Sequence, residues 1–240
     1  MNFIRLQFGG LSPFFYLALG FSIYAMTITM MYFHVSTLGI IANACGIIYI
    51  YFVGQGRAIG EIFSLITCFA FLSLGLEKSY HEYIARYFIY MPIAIFGIYT
   101  WIKIQKNRNG EVEIKTLSKK GVLISLASIF IFTLIYAIFL ININYPMPLI
   151  SAFSVVIQFV AYYLQVQRYK ENYLFFTLAN SITLALFISL YMKGGSDLSP
   201  LFMIMFTLII GIFFYFRWSD MARKQTKISF VDFKNEKRKS

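Results

Sequence analysis

The sequence predicts an all-α integral membrane protein of about eight transmembrane helices: one accessory N-terminal helix, then a 3+1+3 bundle of two parallel repeats. Three observations predict it. Apolar residues make up 59% of the 240 and charged residues only 13%, against roughly 45–50% and 25% in soluble domains. The charges are bunched, and the gaps between them are long enough to cross a bilayer. The hydropathy pattern also repeats when the chain is shifted by 114 residues. A soluble chain of this length could not hide so much apolar surface, which excludes soluble enzymes, secreted disulfide scaffolds and disordered tails. Cys45 and Cys68 both lie in apolar runs and leave no disulfide or zinc framework.

Each element follows from the charge gaps. A charge is costly at the bilayer centre, so charges mark helix ends. A helix needs about 20 residues to cross, at roughly 1.5 Å of rise each. Residues 6–56 carry no charge and hold two spans with a tight turn near 34–36. The first span, 13–33, is too long for a signal-peptide core, and no small-residue cleavage site follows it. Residues 62–76 and 87–102 hold one span each. Residues 121–167 hold two, divided at 142–148, where two prolines and two asparagines supply turn chemistry. Residues 172–192 and 198–216 complete the eight. The basic tail, 220–240, is expected to be disordered and to lie along the inner leaflet. The chain thus divides into an N-terminal segment (1–36), a first repeat (37–103), a loop and linker span (104–149), a second repeat (150–218) and the tail (219–240).

Orientation follows from Lys and Arg. With a cytoplasmic N-terminus, 18 of the 21 fall on the cytoplasmic side; Lys78, Arg86 and Lys193 fall outside. That bias is the positive-inside pattern and places both termini in the cytoplasm. The net charge of +11 is read as topology and attraction to anionic lipid, with no nucleic-acid partner.

The 114-residue shift lays residues 38–103 on 152–217. Gly97-Ile98 falls on Gly211-Ile212, Met91 on Met205, Tyr49 on Tyr163 and Lys103 on Arg217. A single span lies between the blocks, so both must enter the membrane from the same side. The repeats are therefore parallel, related about the membrane normal. Transporters built on such repeats place substrate near the midplane between the halves.

Groups for enzymatic chemistry are scarce. No Asp lies inside a span, and His34 and His81 fall in outer turns. Glu61 sits near a cytoplasmic helix start, where a carboxylate suits the helix dipole. Paired carboxylates, metal-spaced ligands and a phosphate-cradling loop are not found, and Gly54-Gln55-Gly56 reads as a turn. We expect no enzyme, metal or cofactor. Proton-coupled carriers keep an ionisable group in the pathway. With none evident, the expected mechanism is facilitated diffusion of an uncharged or charge-delocalised solute.

Aromatic residues are abundant, with 27 Phe, 18 Tyr and 2 Trp. Interfacial belts account for many, and Tyr145, Trp101 and Trp218 sit where a belt would be. One segment, 171–180, offers a ring-binding arrangement. Its Tyr173, Phe176, Thr177 and Asn180 stand at i, i+3, i+4 and i+7 and share a helix face. Asn180 is eight residues into its span, about 12 Å deep, and its amide both donates and accepts. Asn43 and Gln158 are the other intramembrane amides, and with Trp101 they complete the candidate substrate-binding set. The competing reading of each amide and hydroxyl is helix–helix hydrogen bonding.

Two segments carry a family resemblance. Residues 87–101, with Tyr90, Pro92, Gly97 and Trp101, resemble the first-repeat helix of the PnuC-type vitamin transporters. Glu171-Asn172-Tyr173 through Asn180 resembles that family's Glu-Asn-Trp-x-x-Trp-x-x-x-Asn run, with Tyr173 and Phe176 in place of the two tryptophans. Ala94 stands where the family helix carries a Gln. The resemblance covers about residues 37–218. It implies uptake of a ring-bearing vitamin precursor, nicotinamide riboside first, trapped by a cytosolic kinase. Thiamine or another nucleoside-like vitamin is the alternative. A non-transporting membrane subunit would explain the hydropathy but not the repeat. A homo-oligomer is compatible with the sequence and is not required by it.

Overall fold

The computed structural model describes residues 3–77, 81–107, 112–192 and 199–237. These form nine helices: α1 (Phe3–Phe8), α2 (Pro13–Tyr32), α3 (Thr37–Gly54), α4 (Ile59–Glu77), α5 (His81–Asn107), α6 (Lys119–Asn142), α7 (Pro148–Val166), α8 (Asn172–Met192) and α9 (Ser199–Lys237). Eight of them, α2 to α9, are long and apolar enough to cross a membrane, as the charge gaps predict. Of the charges used above to orient the chain, Lys78, Arg108, Lys193, Arg238 and Lys239 lie outside the described residues.

Local chemistry sets the helix boundaries. Ser12, Ser36 and Ser118 cap α2, α3 and α6, each hydroxyl accepting from the backbone N–H three residues on. Pro13 and Pro148 open α2 and α7, where a missing N–H costs nothing. The two breaks expected within apolar runs are present. His34 (φ 54°) turns α2 into α3, and Asn144 (φ 53°) and Met147 (φ 50°) turn α6 into α7. These are left-handed backbone positions that only a tight turn demands. Pro92 lies within α5, where it removes one backbone bond.

The helices pack as two triplets. In the first, α3 lies on α4 and α4 on α5; in the second, α7 lies on α8 and α8 on α9. The triplets meet along two seams, α3 against α9 and α5 against α7. A shift of 114 residues carries α3 onto α7 and α5 onto α9, and so interchanges the seams. Outside the triplets, α2 packs on α3 and α6 on α7.

The ends beside the α3–α4 and α7–α8 turns are closed by indoles. Trp101 on α5 donates to the Val166 carbonyl at 2.9 Å, and Trp218 on α9 donates to the Gly54 carbonyl at 3.2 Å. Their rings lie 6.2 Å apart. Both are fully buried, which corrects the expectation that they form a lipid-facing belt: each reaches inward to a helix-end carbonyl that would otherwise lack a donor. Gly54 is required there, since the Phe214 ring fills the space a Cβ would take. Gly56 adopts φ 69° in the same turn.

Two further features differ from expectation. The tail expected to be disordered continues as α9 to Lys237. Near its middle, Gln225 accepts from the Ile114 N–H and donates to the Val112 carbonyl, both at 2.9 Å. The segment 112–118 is held against the α7–α8 turn as well, by Lys115 backbone bonds to Arg168 and Lys170 and by Glu171 accepting from the Leu117 N–H. At the N-terminus, α1 docks through Gln7, which bonds Gln105 and the Ile59 N–H, while Arg57 donates to the Leu6 and Gly9 carbonyls.

Candidate functional site

The site is built on α7. In this apolar helix Ser151, Ser154, Gln158, Tyr162 and Gln165 recur at steps of three and four, so they share one face. All five are buried. α7 is also the most enclosed span, with 72% of an 18-residue stretch buried against at most 50% elsewhere. A polar stripe facing lipid would leave its groups unpaired, so it turns inward, and four other helices supply partners.

Those partners form two hydrogen-bonded clusters. Ser154 meets Thr183 of α8 at 2.6 Å. The Gln158 amide donates to Thr183 at 2.8 Å and to Asn180 Oδ1 at 3.4 Å, and accepts from the Tyr90 hydroxyl of α5 at 3.2 Å. Asn180 Nδ2 donates to Thr207 of α9 at 2.8 Å. Ser64 of α4 meets the Tyr162 hydroxyl at 2.6 Å. Gln165 accepts from the Tyr49 hydroxyl of α3 at 2.7 Å.

A carboxylate joins the Tyr162 and Gln165 contacts into the second cluster. Glu61 of α4 is fully buried. Its Oε1 accepts from Gln165 Nε2 at 3.1 Å and its Oε2 from the Tyr162 hydroxyl at 3.3 Å. Gly97 of α5 gives it room: a Cβ there would stand 3.0 Å from Glu61 Oε2 and 3.0 Å from Val166 Cγ2. Glu61 is thus an ionisable group buried among the spans, where the sequence reading expects none. Glu61 does sit in the first turn of α4, but packing of α5 and α7 over that turn removes it from solvent.

Two adjoining cavities lie between the triplets. The larger, about 100 Å³, is bounded by Tyr90, Gln158, Tyr162, Phe176, Asn180 and Arg86 among others. The smaller, about 70 Å³, is bounded by Tyr173 and Gln165 among others. Tyr49, Phe176, Asn180, Met203 and Thr207 line both and form the wall between them. The surroundings are mainly aromatic, with Tyr90 and Tyr162 rings 4.9 Å apart and Tyr49 and Tyr162 edge-to-face at 6.5 Å. Arg86, expected in an outer loop, is instead 3% exposed on α5 and lines the larger cavity.

The candidate residues divide into two groups. Tyr173, Phe176, Asn180 and Gln158 come together on the cavity walls. Thr177, Asn43 and Trp101 line neither cavity. Thr177 donates to the Tyr173 carbonyl and Asn43 to the Gly39 carbonyl, each on its own helix, while Trp101 closes the helix ends described above. Glu171 and Asn172 of the same motif hold the 112–118 segment and the α7–α8 turn. Sequence reasoning missed Glu61, Ser64, Tyr49, Tyr162 and Gln165. The signal was present for two of them, because Gln158, Tyr162 and Gln165 stand at i, i+4 and i+7.

Comparison with known proteins adds three findings. A family model described as nicotinamide mononucleotide transporter matches residues 36–220. The chain is 25% identical over 199 residues to "Nicotinamide riboside transporter PnuC" of Neisseria mucosa, covering 80% of this chain and 75% of that protein. It also shares the fold of a chain described as "Crystal structure of the Vitamin B3 transporter PnuC", with a TM-score of 0.80 at 23% identity, covering 92% of this chain and 97% of that one.

Proposed function

The chain belongs to the nicotinamide mononucleotide transporter family, and from that premise we propose that it carries nicotinamide riboside across the cytoplasmic membrane by facilitated diffusion. The observation that carries this reading is the cavity between the triplets, with amides on an aromatic wall. Nicotinamide is a flat ring bearing a carboxamide, which needs both a donor and an acceptor. Asn180 and Gln158 offer both beside Phe176, Tyr90 and Tyr162. The relative from Neisseria mucosa bears the riboside in its name, which supports the same solute here.

The riboside fits this wall better than the mononucleotide of the family description. A phosphate calls for convergent cationic or backbone donors. Arg86 is the one Lys or Arg among the described residues that line the cavities. In this reading the triplets are the two repeats, which the interchange of seams under the 114-residue shift supports. Both termini face the cytoplasm, and a cytosolic kinase consumes the arriving solute.

The test is calorimetric titration of the purified protein with nicotinamide riboside, nicotinamide mononucleotide and thiamine, paired with thermal unfolding. The riboside should bind and raise Tm, and the other two should bind more weakly. Binding of thiamine in preference to the riboside would replace this reading with a thiamine carrier.

A further inference from the structure

We propose that Glu61 is the counter-charge of the site, so that the carrier selects a permanently cationic heteroaromatic solute over a neutral one of the same shape. The proposal rests on the nicotinamide riboside reading and adds to it the electrostatic basis of selection.

Glu61 is 0% exposed within a membrane-spanning bundle. Its hydrogen-bond partners are neutral: the Gln165 amide and the Tyr162 hydroxyl. Among the described residues no Lys, Arg or His makes an ion pair with it. Arg57, close in sequence, donates to the Leu6 and Gly9 carbonyls, and Arg217 donates to Gln55. The first turn of α4 offers only the partial positive charge of a helix end. A carboxylate held from water with neutral donors alone lacks a counter-charge, and a cation entering the cavity stabilises its ionised form. Tyr162 and Gln165, which hold it, also line the cavities, together with Ser64 and Tyr49. The charge therefore lies one side chain behind the wall, and the poorly polarisable surroundings transmit its field inward.

A cation in the cavity supplies the absent partner. The Tyr49, Tyr90 and Tyr162 rings reinforce it, since their faces attract positive charge. Arg86 does not cancel the effect. It precedes Gly97 by 11 residues on α5, about 16 Å along the helix, and so stands at the opposite end from Glu61. The cavity is polarised along its length, and the positive ring belongs at the Glu61 end. Nicotinamide riboside carries that charge permanently on its ring nitrogen. Its 1,4-dihydro form keeps the carboxamide and the sugar but is neutral.

The test compares these two ligands on wild-type protein and on Glu61→Gln, which keeps side-chain size and an acceptor for Tyr162. Wild type should bind the cation at least about tenfold more tightly than the dihydro form. Glu61→Gln should lose most of that ratio by weakening the cation while the neutral ligand stays within about twofold. Equal affinity of the two ligands for wild type would overturn the proposal, whether or not the variant folds. An equal loss for both ligands in Glu61→Gln would also overturn it, marking Glu61 as a structural residue. Failure of wild type to bind either ligand would overturn the riboside reading itself, and the proposal with it.

Discussion

Asn180 holds both ends of its amide in the cavity wall, with Oδ1 facing Gln158 and Nδ2 donating to Thr207. Asn180→Ala removes one member of this set, yet Gln158 keeps Thr183 and Tyr90, and Thr207 keeps the Ile204 carbonyl. The bundle should fold in normal yield by size-exclusion profile. Riboside affinity by calorimetry should fall about tenfold, the size of one lost hydrogen bond. The position was legible in the sequence because an amide at mid-span has few inexpensive uses. Glu61 was not. Read along the chain it is an ordinary first-turn carboxylate; only the approach of α5 at Gly97 and of Tyr162 and Gln165 on α7 makes it a buried charge. Thr177 shows the opposite failure, since its position on the same helix face as Asn180 did not prevent it from bonding its own backbone.

At the scale of the element, the spans were legible because length and charge fix them with little help from tertiary structure. The stops were legible too, since Asn142–Pro148 and His34–Ser36 combine turn chemistry with sharp interruption. The end of α9 was not: a basic, polar run reads as disorder, but Gln225 ties it to the 112–118 segment. The turn at Gly54-Gln55-Gly56 is legible in the sequence, but the reason for its first glycine lies on another helix. Phe214 of α9 occupies the space of the absent Cβ. Gly54→Ala should therefore lower stability by about 1–3 kcal/mol. Adding Phe214→Leu should recover part of that loss, and thermal unfolding of the single and double variants measures it.

For the whole molecule, the triplets touch along α3–α9 and α5–α7, and Glu61, Ser64, Tyr49 and Tyr90 each hydrogen-bond a side chain of α7. Proton-independent uptake does not follow from a missing carboxylate, since Glu61 is buried among the spans. It follows instead from the solute, since a permanently cationic molecule moves down its own gradient without a coupled proton. Uptake into proteoliposomes should therefore be unaltered when a protonophore collapses an imposed pH gradient. Uptake that tracks the gradient would contradict this. The all-helical bundle of eight spans was legible at this scale because the spacing of charges is arithmetic on the chain. Which side chains meet across the seams was not, because the contacts join residues about 100 apart, as Ser64 and Tyr162 do.

The polar stripe of α7 also constrains how the protein is made. A helix with Ser151, Ser154, Gln158, Tyr162 and Gln165 along one side would be a poor passenger if released alone among acyl chains. Its companions α3, α4 and α5 leave the ribosome earlier and can receive it, whereas Thr183 and Asn180 arrive only afterwards. Biosynthesis from the N-terminus thus sets the receiving half in place before its most demanding helix arrives.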